Sequence, residues 1–294
     1  MIRIEKLSKR FGRLAAVDGV SLNVTEGSSV ALWGTNGAGK TTILRCILSL
    51  FRYQGHIEVG GLDARRHGKR ARRMIGYVPQ ELGFNDDLRV GEAVAYFARL
   101  KGVNAGSVDE SLTRVGLRGQ DRKRMRELSG GMKQRLALAL ALLGDPPILI
   151  LDEVTASLDA CGREELVGLL GRLSGAGKTM LFASHRIDEV TTLANRVVLL
   201  DQGRSLGEIP VDQLVDRLGM GTTLHLHIQP DSRGRAMDLL KVHGFSPRLN
   251  GVGLLVPVPT PQKATPFRVL ADARIAIDDF DVLSASADHK EAAQ

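Results

Sequence analysis

"GTNGAGKTT", Gly34 to Thr42, is the stretch that decides the fold. It fits the spacing G-x-x-x-x-G-K-[ST], in which glycines let backbone N–H groups wrap phosphate oxygens, a lysine reaches the outer phosphates and a hydroxyl meets a divalent cation. Its flanks supply the right context. "SSVALWG" before it reads as a buried strand, and Thr41 to Leu50 after it reads as a helix. Gly34, Thr35, Asn36, Gly37, Ala38, Gly39, Lys40, Thr41 and Thr42 are therefore expected to form a phosphate site, with Lys40 on the β and γ oxygens and Thr41 on Mg²⁺.

Further along, "ILILDE", Ile148 to Glu153, is an apolar strand ending in two acids. Its end delivers Asp152 to the Mg²⁺ and sets Glu153 one residue further, where a carboxylate can polarise a water against a γ-phosphate. An acid pair after a strand also serves as a helix cap, and the two motifs alone leave kinases, helicases and GTPases open.

Between and around these motifs, β-like runs alternate with helical patterns: "IGYVPQ" is a strand, "GEAVAYFARLKG" a helix, and "PPILILDE" and "KTMLFASH" are strands followed by helices. Such alternation implies a mainly parallel sheet with functional residues at the carboxyl ends of its strands. The opening "MIRIEKLSKRFG" alternates like an edge strand and not like a signal peptide. The longest apolar run, Leu136 to Leu143, is too short to span a bilayer, so no membrane crossing is expected. Cys46 and Cys161 lack metal-ligand spacing and read as incidental thiols in a reduced, cytoplasmic chain. The net charge of +7 lies entirely in the first 221 residues, because from Thr222 onward eight Lys/Arg balance eight Asp/Glu. Such an excess suits nucleotides, nucleic acid or an anionic membrane face.

"LSGGMKQRLALALALL", Leu128 to Leu143, then poses a question. A serine and two glycines opening a helix make a second anion site, although the chain already has a phosphate loop. "LSGGMKQ" resembles the signature of ATP-binding-cassette (ABC) ATPases, and other residues fall where that family needs them. Gln80 in "YVPQE" resembles the Q-loop glutamine, which senses Mg²⁺ and the attacking water while coupling to a transmembrane partner. His185 in "ASH" resembles the switch histidine at the γ-phosphate, "SLD" (Ser157 to Asp159) the D-loop, and Phe11 in "KRFG" the aromatic that stacks on adenine. The resemblance covers about residues 1–218. It implies an α/β P-loop NTPase cassette with a mainly parallel core, an N-terminal antiparallel β subdomain and a helical signature subdomain. It also implies ATP and Mg²⁺ as cofactors and a head-to-tail dimer of two copies around two ATP. In that dimer Ser129, Gly130, Gly131 and Asp159 act in trans on the nucleotide of the other copy. The implied partners are transmembrane permease subunits at the cytoplasmic face of the membrane, with neither nucleic acid nor the transported substrate touching the cassette. Two positions depart from the family pattern: Val154 stands where proline is usual, and Ala156-Ser157 where Ser-Gly is usual. A soluble cassette acting on ribosomes or DNA is the alternative reading, and a non-catalytic regulatory cassette is disfavoured by Glu153.

Beyond Gly219 the character changes. Residues 222–284 read as strand, helix, strand, strand, helix, strand, the βαββαβ order of a small α+β ferredoxin-like domain, followed by a flexible tail over 285–294. This segment resembles the short extensions of bacterial export-type cassettes, including drug-efflux and copper-maturation subunits. His225 and His227 alternate on one strand face, as metal ligands do, but no third ligand is near in sequence, and a polar sheet face is the favoured reading. "RRHGKRARR", Arg65 to Arg73, has six Lys/Arg and no interleaved aromatic, and reads as a solvated helix face.

Overall fold

The structure, a computed structural model, describes residues 1–103, 108–218, 222–251, 253–258 and 262–283. The expected tail at 285–294 lies outside the described residues. Two compact units divide the chain, Met1–Val211 and Asp212–Gln294, so the change of character near Gly219 falls inside the second.

The first unit opens with β1 (Ile2–Phe11) and β2 (Leu14–Val24), continues through β3 (Ser29–Trp33) and α1 (Lys40–Ile47), and then lays down β4 (Gln54–Val59) and β5 (Leu62–Asp63). Strands β2-β1-β4-β5 form an antiparallel sheet in that order. Strand β1 is thus an interior strand with partners on both sides, which corrects the edge-strand reading. Its alternation arises because Ile2, Ile4 and Leu7 enter the core while the opposite face is wet, a pattern an interior antiparallel strand shares with an edge strand.

After α2 (Gly68–Arg73) and β6 (Ile75–Val78) come three helices, α3 (Val90–Lys101), α4 (Val108–Thr113) and α5 (Gly130–Leu142). The remaining elements of this unit are β7 (Ile148–Asp152), α6 (Ala160–Gly175), β8 (Thr179–Ser184), α7 (Ile187–Leu193), β9 (Arg196–Asp201) and β10 (Arg204–Pro210). They complete a six-stranded sheet in the order β10-β9-β3-β8-β7-β6. All its neighbours are parallel except the β9/β10 hairpin. Strands β3, β7 and β8 are covered on both faces and read as continuous apolar runs, as parallel strands do.

Helix α1 ends at Ile47, short of the expected Leu50. Ser49 takes a left-handed φ of 57°, and the Leu50 N–H returns to the Arg45 carbonyl, the paired closure that terminates helices. Helix α5 is buried all round from Leu136 to Leu142, because it is wedged between β6 of the sheet and helices α3, α4 and α6. A helix apolar on every side needs such a position. Helix α2 carries the basic run, with Ala71 buried and Lys69, Arg70, Arg72 and Arg73 exposed.

The second unit contains α8 (Leu214–Arg217), β11 (Thr222–His227), α9 (Pro230–Val242), β12 (Arg248–Leu249), β13 (Leu254–Val258), α10 (Thr265–Asp272) and β14 (Asp279–Leu283). From β11 onward the elements follow the order read from the sequence, and the antiparallel sheet runs β12-β13-β11-β14. Strand β12 has two residues because the chain turns at Gly251, whose φ is 85°. Leu224, Leu226, Leu254 and Val256 pack with Ala236 and Leu240 of α9 and Leu270 of α10. Period-2 alternation therefore leaves His225 and His227 on the face of the sheet away from that core.

Candidate active site

Four adjacent parallel strands end side by side, and each delivers one part of the site. Trp33 of β3 pairs with Ser184 of β8, Ala183 of β8 with Asp152 of β7, and Leu151 of β7 with Val78 of β6. The segments that leave these ends carry Gly34–Lys40, His185, Glu153 and Gln80. Residues from 33 to 185 converge because hydrogen-bonded strands lie under 5 Å apart.

The phosphate loop returns tightly from β3 into α1. Lys40 is 4% exposed, and its ammonium donates to the carbonyls of Gly34 at 2.7 Å and Thr35 at 3.1 Å, stitching the loop closed. Gly37 and Gly39 have φ of 85° and 99°, and a Cβ on Gly39 would stand 2.6 Å from the Ala16 carbonyl oxygen. Only glycine fits there. A cleft of about 600 Å³ opens over the loop, lined by Asn36 to Thr42 together with Phe11, Leu14, Ala16, Gln80, Glu153, Ala156 and His185. Phe11 is 43% exposed at this cleft, its ring set edge-on against Phe51 with centroids 5.3 Å apart. Gly34 and Thr35 are not among the lining residues; their carbonyls serve Lys40 instead. Leu14 and Ala16 belong to the cleft through β2, and no local motif marks them.

Asp152 is fully buried below the cleft and accepts a hydrogen bond from Thr41 Oγ1 at 2.8 Å; the Tyr77 hydroxyl lies 3.5 Å from its other oxygen. Burial, opposed by the Thr41 hydrogen bond, pushes its carboxyl above the usual range. Glu153 takes a left-handed φ of 47°, which turns its side chain toward the cleft immediately after the strand. Its carboxylate lies 3.2 Å from Lys40 Nζ, 3.5 Å from Gln80 Nε2 and 3.4 Å from His185 Nδ1. One carboxylate thus joins the phosphate-loop lysine, the Gln80 loop and the β8 histidine.

Behind this layer lies a network that no sequence spacing announces. Glu189 of α7, 5% exposed, accepts from Ser184 Oγ at 2.7 Å and from Thr155 Oγ1. Burial is the main force raising its carboxyl pKa. It ties the segment after Glu153 to the residue before His185.

The signature residues are elsewhere. Ser129 caps α5 by accepting from the Met132 N–H at 3.3 Å, and Asp159 caps α6 by accepting from the Gly162 N–H at 2.8 Å. Ser129, Gly130, Gly131 and Asp159 line a second cleft of about 550 Å³, which shares no lining residue with the first. The segment between them spans both, since Ala156 lines the phosphate-loop cleft and Ser157 the signature cleft. Val154, in place of the usual proline, is buried at 7% exposure.

A third concavity, about 440 Å³ and apolar, is lined by Tyr77, Pro79, Leu82 and Phe84 around the Gln80 loop and by Phe97 of α3. Among the described residues no helix is long and apolar enough to cross a membrane.

The family description "ABC transporter" matches residues 17–156. The chain is 34% identical over 286 residues to a daunorubicin resistance ATP-binding protein of Streptomyces coeruleorubidus, covering 95% of this chain and 90% of that one. It is 34% identical over 246 residues to a bacitracin transport ATP-binding protein of Bacillus licheniformis, covering 83% and 79%. A solved dimeric ATP-binding cassette, in a post-hydrolysis state bound to ADP and Pi, superposes with a TM-score of 0.65 at 27% identity, over 72% of this chain and 99% of that one. With the phosphate loop, acid pair and signature in place, these likenesses settle the family: the chain belongs to the ABC transporter family, as one of its ATP-binding ATPase subunits.

Proposed function

We propose that the chain hydrolyses MgATP at two composite sites formed with a second copy of itself, and so drives a separate transmembrane exporter. The observation that carries this reading is the separation of the two clefts. Ser129, Gly130 and Gly131 have no phosphate to hold in a cleft that excludes Lys40, whereas a two-fold partner brings one signature to each phosphate loop. Phe11 stacks on the adenine, and the amides of Asn36 to Thr42 with Lys40 bind the phosphates. The positive end of α5 then meets the γ-phosphate of the opposite copy.

The Thr41 hydroxyl and the Asp152 carboxylate, 2.8 Å apart, are hard oxygen donors of the kind Mg²⁺ takes, and the Gln80 side-chain oxygen is the further candidate. Thr41 and Asp152 would hold Mg²⁺ there, and the ion would supply positive charge against the phosphates. Glu153 accepts a proton from the attacking water, and the general base is worth about 10²–10⁴-fold in rate. Gln80 and His185, both on the Glu153 carboxylate, orient it and the γ-phosphate. Loss of the bridging γ-phosphate removes the charge that holds two copies together, so hydrolysis opens the dimer.

The apolar concavity beside Gln80 is where a permease segment docks, so that its position and the state of the cleft move together. Export of a drug-like or lipid-like compound is favoured by relatives named for daunorubicin and linearmycin resistance, bacitracin transport and Nod factor export. On this reading the subunit works at the cytoplasmic face of the membrane. The test is fractionation of the native protein from its own cells. Retention on washed membranes together with a co-purifying membrane protein is expected, and sedimentation with ribosomes or DNA contradicts the reading.

A further inference from the structure

His225 and His227 occupy alternate positions of β11, on the face away from Leu224 and Leu226. The neighbouring strand supplies what their sequence surroundings lack. Asp281 of β14 pairs with His225 in the sheet register, and its carboxylate reaches both rings. Asp281 Oδ2 lies 3.3 Å from His227 Nε2 and 3.6 Å from His225 Nδ1. The two rings stand with centroids 4.2 Å apart. All three donor atoms lie within 4.8 Å of one another.

We propose that His225, His227 and Asp281 form a binding site for one divalent transition-metal ion of the zinc class, in the second unit and independent of the nucleotide. The donor chemistry selects the ion. Two imidazoles and one carboxylate suit zinc-like ions better than Mg²⁺ or Ca²⁺, which take oxygen, or soft ions, which take thiolates. The spacing also matches. Donors at about 2.0–2.1 Å from a tetrahedral ion lie about 3.3–3.4 Å from each other, close to the separations of Asp281 Oδ2 from the two rings. His225 is paired on both sides, with Leu255 of β13 and Asp281 of β14, and His227 with Asp279 of β14, so the backbone under the donors is set before an ion arrives. His225 is held from behind as well, its Nε2 2.8 Å from the Asn250 side chain. Asn250 is itself tied through Oδ1, which accepts from the Gly253 N–H at 2.9 Å, so the contact fixes the plane of the imidazole. Asp281 is 62% exposed, so the ion enters from solvent and keeps a fourth position for water.

The experiment is calorimetric titration of Zn²⁺ into the full-length, tag-free, chelator-treated protein without nucleotide, repeated with Co²⁺ to read coordination geometry from its absorption. One ion per chain is expected, with Co²⁺ giving the strong visible bands of a tetrahedral N/O site. His227→Ala and His225→Ala are each expected to weaken binding by more than about 10-fold. Asp281→Asn, which keeps the side-chain shape, guards against loss of folding and is expected to weaken binding as well. His243→Ala, at the end of α9, is expected to leave affinity unchanged. Failure of the wild-type chain to bind, or binding that survives all three ligand substitutions, overturns the proposal.

Discussion

Lys40 Nζ lies 3.2 Å from Glu153 Oε1, so the residue proposed to reach for phosphate and the residue proposed to take a proton from water form a buried ion pair. A triphosphate entering the cleft competes with Glu153 for the same ammonium. Glu153→Gln removes that competitor together with the base. Steady-state hydrolysis is expected to fall by at least about 100-fold while ATP affinity, read by fluorescent-nucleotide displacement, is kept or raised. Undiminished turnover takes Glu153 out of its role.

Asp152 should cost the fold stability. Burial raises its folded pKa above the ordinary carboxylate value, so the folded chain binds this proton more tightly than the unfolded chain. Stability from this group is present below the ordinary carboxylate pKa and is lost as pH rises through the raised one. Asp152→Asn keeps an acceptor for Thr41 and removes the buried charge. Its melting temperature at neutral pH is expected to exceed the wild-type value, by about 2–4 °C for each kcal/mol gained, while hydrolysis is lost. A lower melting temperature contradicts the account.

Glu189 is expected to act as a positioning residue, through Thr155 and Ser184. Removing it in Glu189→Ala leaves the hydroxyls of Thr155 and Ser184 buried without their acceptor, at a cost of about 1–3 kcal/mol in chemical denaturation. Because the network stands behind Glu153 and His185 and touches no lining residue of the phosphate loop, kcat should fall with KM for ATP nearly unchanged. An equal loss in both parameters points to general destabilisation instead.

The convergence of the phosphate loop, Gln80, Glu153 and His185 on one cleft was largely legible because their motifs are local. Each is a few residues at a strand end, and parallel pairing brings strand ends together without further information. Features that depend on which strands become neighbours were not legible. The interior position of β1 depends on pairing with both β2 and β4, and alternation alone is the same for an edge strand. Thr155 and Glu189 are 34 residues apart and meet only because α7 returns under the end of β7. Asp281 reaches His227 across 54 residues for the same kind of reason. The end of α1 at Ile47 was missed because a serine, not glycine, takes the left-handed turn.

The central claim is that Ser129 acts on the nucleotide of another copy, and light scattering of Ser129→Arg in the Glu153→Gln background tests it most directly. With MgATP the Glu153→Gln chain is expected to double its mass. Adding Ser129→Arg should hold it at the mass of one chain while each chain still binds one ATP with unchanged affinity, because the signature cleft shares no residue with the cleft of its own phosphate loop. A doubled mass in the double variant, or loss of ATP binding by its single chains, contradicts the account.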